Sequence, residues 1–280
     1  MRRKTLIKRT RRNTRKRIQL GGKASASPIV TVFMLCFNEE RILDFTVNAY
    51  RRLFHHCKIV IYDNESTDKS VEKAKALDCE VRSYSTGNKL DEILMTKMRN
   101  TVWKDATTPW VIVCDMDEII TANQNDLIAE DKKGTNILKT YGYEMYGKSE
   151  KDDLSNIKVN SIINGQTSTG HSKTICFRAD QIADINFSPG AHTSDPVAKD
   201  GYEVKFSEKE YPLYHFKKMG IPYYKSKQSK ATPRAVEMKK FGLSVHYTAN
   251  DKINENAVSI NDKGGMEKVP PLSTYYLPSQ

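Results

Sequence analysis

From Ile29 to Phe37 the chain is apolar and β-branched almost without a break, the pattern of a strand buried on both faces. Asn38 stands next as the candidate cap of a helix whose apolar positions, Ile42, Leu43, Thr46, Val47, Tyr50, Leu53 and Phe54, share one stripe. The alternation repeats. A short strand over Lys58 to Tyr62 leads into the polar turn Asp63-Asn64-Glu65-Ser66-Thr67-Asp68, a helix to about Leu77 and a strand over Cys79 to Tyr84. A further helix, with Leu90, Ile93, Leu94, Met98, Thr101 and Val102 on one side, passes through Pro109 to a strand from Trp110 to Cys114. Three strand-helix units feeding a fourth strand predict an α/β fold, a parallel sheet covered by helices. Ligands in such sheets bind beyond the carboxyl ends of the strands, where Asn38, Asp63 and Asp115-Met116-Asp117 all fall.

Beyond about Gly134 the strands turn more polar and the loops longer, with apolar runs at Thr174 to Phe177 and Tyr211 to Phe216. This predicts a mixed α+β second half. Thr232-Pro233 is placed to open a last helix, which Gly242 would end. From about Asp251 the chain is polar and aperiodic, and a loosely attached, disordered tail is expected over 251–280.

Charge changes the picture at one end only. The formal net charge is +11, and residues 1–23 hold eleven Lys and Arg with no acidic residue, leaving 34 basic against 34 acidic residues elsewhere. Residues 1–27 therefore read as a flexible basic arm suited to an anionic membrane, nucleic acid or polyanionic scaffold. The arm lacks the apolar stretch of a secretory signal, and no window has the length and apolarity of a membrane span. Five widely spread cysteines within mostly apolar runs fit reduced core thiols in a reducing, cytoplasmic compartment, with peripheral membrane attachment through the arm as a second expectation.

The chemistry centres on Asp115-Met116-Asp117-Glu118, which emerges where a buried strand ends. Alternation along a strand would let Asp115 and Asp117 share a direction, and two hard oxygen ligands suit Mg²⁺ or Mn²⁺. A D-x-D triplet alone is weak, and a solvated turn is its bland alternative; the preceding run Trp110-Val111-Ile112-Val113-Cys114 raises it above that. Asp63 could accept hydrogen bonds from a uracil or ribose edge, while Ser66 or Thr67 caps the next helix.

Taken in order, Thr31 to Asn38 with Glu39-Glu40, the turn Asp63 to Asp68, Arg99-Asn100 with Trp103, and Trp110 to Glu118 resemble glycosyltransferase family 2 and its relatives. The likeness is greatest to the family 2-like and family 92-like branch with a D-x-D-E motif. These marks cover about residues 29 to 120. The resemblance implies a GT-A (Rossmann-like) fold, a nucleotide-sugar donor, favoured as a UDP-sugar, and a divalent metal, Mn²⁺ or Mg²⁺. With the arm and tail read from composition, the chain divides into a basic arm at 1–27, a transferase domain at 28–250 and a tail at 251–280. Within the domain, 28–120 would bind the nucleotide sugar and 121–250 the acceptor, a glycan, lipid or protein. On that template Asp63 resembles the nucleoside-binding aspartate, and Phe37 and Asn38 the segment under the base. Asp91, Arg99 and Asn100 resemble the helix facing the diphosphate, with Lys89 as a phosphate contact, and Met116 lies within the metal motif of Asp115 and Asp117. The first segment departs from the pattern, reading Met34-Leu35-Cys36-Phe37-Asn38 where many members have proline and tyrosine.

Gly190-Ala191-His192-Thr193 and Leu213-Tyr214-His215-Phe216-Lys217 resemble the paired histidine segments of the same branch, following Lys173. His215, ahead of His192, would complete the metal shell. Asp195, Glu118 and His192 are the candidate general bases for an inverting transfer. Two other readings remain open from sequence: nucleotidylyl transfer on a similar fold, weakened by the lack of a Gly-rich phosphate loop near the first strand, and nucleic-acid or scaffold binding through the arm.

Overall fold

A computed structural model describes residues 29–147, 151–154, 158–245, 247 and 266–279. The basic arm lies outside the described residues, as do 251–265 of the expected tail. The first half alternates β1 (Val30–Cys36), α1 (Leu43–Leu53), β2 (Cys57–Asp63), α2 (Ser70–Ala76), β3 (Glu80–Ser83), α3 (Glu92–Thr101) and β4 (Trp110–Asp115). The second half holds β5 (Glu118–Ile120), α4 (Gln124–Lys132), β6 (Ile137–Tyr146), β7 (Asn164–Thr167), β8 (Cys176–Arg178), β9 (Ile182–Asp184) and β10 (Val197–Ala198). It continues with β11 (Phe206–Lys218), α5 (Ile221–Ala231), α6 (Val236–Lys239) and β12 (Met266–Lys268).

Among the described residues one ten-stranded sheet runs β12-β7-β6-β8-β4-β1-β2-β3, with β11 pairing both β6 and β5. The predicted parallel half is present: β3, β2, β1 and β4 pair in parallel. The remainder is mixed, since β8 lies antiparallel to β4 and to β6 while β11 runs parallel to β6. Side chains of β1 alternate between two cores, which is why its sequence is apolar throughout. Val30, Val32, Met34 and Cys36 join α1 on one face, while Phe33 joins Trp103, Val111 and Phe177 on the other.

The strand order reverses between β1 and β4, so a crevice opens beyond their carboxyl ends. Register aligns Leu35 with Asp115 and Cys36 with Asp63, bringing three sequence-distant segments to one edge.

Several local expectations differ. The stripe on α1 is fully buried, but Asn38 does not cap that helix; its backbone has φ 54°, and its side-chain oxygen accepts from Thr67 N and Asp68 N instead. On α3 it is Arg99 that is buried, whereas Ile93 is 65% exposed, because the helix turns its arginine toward the carboxylates of β4. The last helix expected between Thr232-Pro233 and Gly242 is present only as the short α6, whose N-cap is Ala235; a longer helix precedes it. That helix, α5, starts at Ile221 with a proline in its first turn, and Thr232 is its C-cap. The loose attachment expected of 251–280 is corrected for its described end. There, β12 pairs with β7, and Val269 and Leu272 enter the main core. No helix among the described residues is long and apolar enough to cross a membrane.

Candidate functional site

A cleft of about 430 Å³ opens over the carboxyl ends of β1, β2 and β4 and is walled on the far side by β11, α5 and the segment after it. Its floor is charged. Asp115 ends β4, Met116 and Asp117 form the turn, and Glu118 begins β5, so a single tight connection brings three carboxylates to the crevice. Thr46 fixes the turn by donating its hydroxyl to the Met116 carbonyl at 2.6 Å.

Asp115 accepts from Arg99 Nη2 at 2.8 Å and lies 3.8 Å from Lys173 Nζ. Lys173 also meets Glu118 Oε1 at 2.5 Å. Asp117 faces the other wall, 2.8 Å from Lys227 Nζ and 3.7 Å from His215 Nε2, and Lys227 also reaches Glu39 at 2.6 Å. Burial opposes charge on both aspartates, yet the cations prevail. Asp115 is brought down to about 2 chiefly by Arg99 and Lys173, and Asp117 falls further through Lys227 and His215. Burial likewise opposes charge on Lys227, but Asp117 and Glu39 hold it protonated well above the ordinary lysine range.

Behind His215 lies Glu144, its register neighbour on β6. Glu144 is buried, touches both His215 and His171, and is held well below the ordinary range, with burial overcome first by His215. Six carboxylates, Glu39, Glu92, Asp115, Asp117, Glu118 and Glu144, thus meet four fixed cations, Arg99, Lys173, Lys218 and Lys227. Carboxylates with imidazoles beside them fit a divalent cation, because carboxylate with imidazole is a donor set for such ions.

The upper wall carries further cations. Lys230 Nζ donates to the Asn38 carbonyl, Arg234 donates to the Lys89 carbonyl at 3.0 Å and lies over the Phe37 ring at 3.3 Å, and Lys217 stands over Tyr247 at 4.9 Å. Near them Asn64 bonds Thr86 through both its amide groups, and Tyr84 lines the same end.

Of the residues singled out in the sequence, Phe37, Arg99, Asp115, Met116, Asp117, Glu118, His192 and His215 line this cleft. Others are spent on structure and do not line it. Asn38 clamps the turn after β2, Asp91 caps α3 by accepting from Leu94 N at 2.9 Å, and Asn100 grips the backbone of Phe187 from both sides. Lys89 pairs outward with Glu237 at 2.6 Å, and Asp195 is exposed on a loop where its backbone bonds Ile185 and Asn186. Asp63 is 4% exposed: one oxygen accepts from Ser66 N at 3.0 Å, and the other is buried without a hydrogen-bond partner.

Sequence reasoning missed Glu144, His171 and Lys227 as members of the site. Glu144 is the lone carboxylate of the aromatic strand Tyr141 to Tyr146, and Tyr223, Lys227 and Lys230 fall on one face once α5 is recognised as a helix.

No curated protein matches this chain. Among solved structures, residues 1–349 of TarS from S. aureus overlap 72% of this chain and 64% of their own, at 16% identity and TM-score 0.39. The same TarS fragment in complex with UDP-GlcNAc gives 15% identity, 72% and 66% coverage and TM-score 0.39. Glucosyl-3-phosphoglycerate synthase from Mycobacterium tuberculosis, in complex with Mn²⁺, UDP and glucosyl-3-phosphoglycerate, covers 42% of this chain and 45% of its own, at 15% identity and TM-score 0.30. These overlaps are loose. Residues 31–156, the part of the molecule that builds the carboxylate floor, match the model of the family described as Glycosyl transferase family 2.

Proposed function

We propose that this protein transfers a sugar from a nucleotide-sugar donor, a UDP-sugar by preference, to a glycan, lipid or protein acceptor, with inversion and with Mn²⁺ or Mg²⁺ as cofactor. The observation that carries this reading is the pairing, within one cleft, of a carboxylate floor at the end of β4 with a wall of cations on and after β11 and α5. A nucleoside diphosphate needs that combination: side-chain cations for its phosphates and a protein-held metal ion for the charge that develops as it leaves.

Lys217, Lys230 and Arg234 are the phosphate-facing candidates, because they line the cleft and their direct contacts are backbone carbonyls or a ring. Asp63 is the nucleoside-side candidate: its Oδ1 has no hydrogen-bond partner but is buried outside the cleft lining, so a uracil N3–H or a ribose hydroxyl would donate to it once the turn after β2 opened. Asp117 and His215, with Asp115 in the adjoining position, would hold the divalent cation, which when bound supplies positive charge against the departing diphosphate. Direct displacement requires that the acceptor hydroxyl lose its proton at the rim. His192 is the best placed of the three candidate bases. It lines the cleft and is exposed, and Nδ1–H donates to the Gly170 carbonyl at 2.6 Å, which leaves Nε2 to accept the proton. Glu118 is buried against Lys173, and Asp195 stands off the cleft.

A thermal-shift and donor-hydrolysis screen of UDP-, GDP- and CMP-sugars, with and without Mn²⁺, tests the reading. Stabilisation by one donor, lost on removing the metal or in Asp117→Asn, is expected, because a ligand that binds only the folded state raises its apparent stability. A folded protein that neither responds to nor hydrolyses any donor would refute it.

A further inference from the structure

Beneath the aspartate turn lies a second arrangement, built from strands that the first half of the chain does not contain. β6 and β11 run side by side with Glu144 opposite His215. Glu144 is 7% exposed and sits against two imidazoles: Oε1 is 3.1 Å from His215 Nδ1, and Oε2 is 3.4 Å from His171 Nε2. The two rings face each other with centroids 4.0 Å apart at 36°.

His171 is brought there by backbone as well as by side chain. It ends the short turn Thr169–His171, which lies on β6 at Gly142. A Cβ at Gly142 would stand 2.3 Å from the His171 carbonyl carbon, so only glycine allows the approach. Two hydrogen bonds close it, Gly142 N to Ser172 Oγ at 3.0 Å and Ser168 N to the Gly142 carbonyl at 2.9 Å.

One ligand atom from each of Glu118, His171 and His215 lies within 4.8 Å of the other two. Ligand atoms about 2.0 to 2.2 Å from a common ion stand roughly 3 to 3.5 Å apart, so modest side-chain closure would complete a shell. Glu118 is 1% exposed, and while its Oε1 holds Lys173, its Oε2 accepts only a 3.3 Å bond from Asp115 N. His171 Nδ1 is buried with no hydrogen-bond partner.

We propose that His171, His215 and Glu118 form a cation site at the floor of the cleft, with Glu144 as the carboxylate behind both imidazoles. This rests on the transferase reading for its role and refines it: the ion is gripped by two imidazoles as well as by carboxylate. Glu144 faces His215 Nδ1 and His171 Nε2 at ion-pair distance, which would set the proton on those nitrogens and leave the lone pair on the opposite nitrogen of each ring. A carboxylate behind a ligating histidine fixes tautomer and orientation in this way. Asp117, 3.7 Å from His215 Nε2, is within reach of the same ion. Two nitrogen donors select Mn²⁺, Co²⁺ or Zn²⁺ over Mg²⁺, which is best served by oxygen alone.

The test uses the full chain with Mn²⁺ alone and no nucleotide. Titration followed by the loss of free-Mn²⁺ electron spin resonance is expected to give one site, with Mg²⁺ a poor competitor. His171→Ala should weaken Mn²⁺ binding by about tenfold or more, and Glu144→Gln by about tenfold, the range for outer-shell partners of a metal. Pulsed electron spin resonance on the unaltered protein should detect nitrogen couplings from two imidazoles, a readout that needs no variant to fold. A single coupled imidazole, equal competition by Mg²⁺, or unchanged affinity in folded His171→Ala would overturn the proposal. The two readings fail separately. Two-imidazole Mn²⁺ binding with no nucleotide-sugar recognition removes the transferase and keeps the site. Metal-dependent donor binding that leaves His171→Ala at wild-type affinity removes the site and keeps the transferase.

Discussion

Replacing Arg99 by methionine asks whether charge, rather than packing, holds the floor of the cleft together. Arg99 is 3% exposed on α3, and its guanidinium meets Asp115 at 2.8 Å. Burial resists ionisation of Asp115, but Arg99 and then Lys173 outweigh it and bring its pKa from an ordinary 3.8 to about 2. At 1.36 kcal/mol per unit, that depression corresponds to roughly 2 to 3 kcal/mol of stability at neutral pH. The Asp115 side chain is 32% exposed, so water can replace part of what the guanidinium supplies. The expected loss is therefore about 2 kcal/mol, below the roughly 3 to 5 kcal/mol of a fully buried pair. Because the folded pKa is depressed, this stability is complete above the unfolded value near 3.9 and fades as pH falls through about 2. At pH 3 the same linkage leaves about 1 kcal/mol. Urea unfolding at pH 7 and pH 3, followed by the fluorescence of Trp103 and Trp110, measures it directly. The difference between wild type and Arg99→Met should shrink by about half. An equal loss at both pH values would refute the electrostatic argument and assign the cost to lost packing.

Lys173→Met should cost about 3 to 5 kcal/mol in urea unfolding, since it strands the buried Glu118 carboxylate, and adding Glu118→Gln should restore part of it; purely additive losses would contradict the pairing. Gly142→Ala places a methyl group against the His171 carbonyl and should lower stability by about 1 to 3 kcal/mol; an unchanged melting temperature would mean that the turn at Thr169–His171 is not packed as described. Burial pushes Cys36 up to about 12 and Cys57 up to about 11, so both thiols should react slowly with a disulfide reagent at pH 8 in the native protein and rapidly in urea. Fast native labelling of Cys36, which is 2% exposed, would contradict its burial, whereas Cys57 is half-buried and should be the faster of the two.

The parallel half of the sheet was legible because each strand is buried on both faces and each helix carries one apolar stripe, so periodicity alone separates them. Asp115, Asp117 and Glu118 were legible for a related reason: carboxylates directly after a buried strand must emerge at its end. The rest of the site is assembled by pairing. Glu144 reaches His215 only through the register of β6 and β11, and His171 arrives on a short turn seated on a glycine, neither of which leaves a periodic trace. The helix α5 was hidden because Tyr-Tyr-Lys-Ser-Lys after a strand rich in aromatic residues and lysine reads equally well as its continuation. Asn38, Asp91 and Asn100 were read as ligand contacts, and none of the three lines the cleft. Their polar groups bond the protein's own backbone, and short side chains at element ends do so more readily than they meet a ligand.

Isothermal titration of UDP into the full chain with Mn²⁺ present tests the central claim most directly. The account predicts saturable binding to one site that weakens sharply on chelating the metal, in Asp117→Asn, and in Lys230→Ala combined with Arg234→Ala. A folded protein that takes up no UDP, GDP or CMP under these conditions would contradict it.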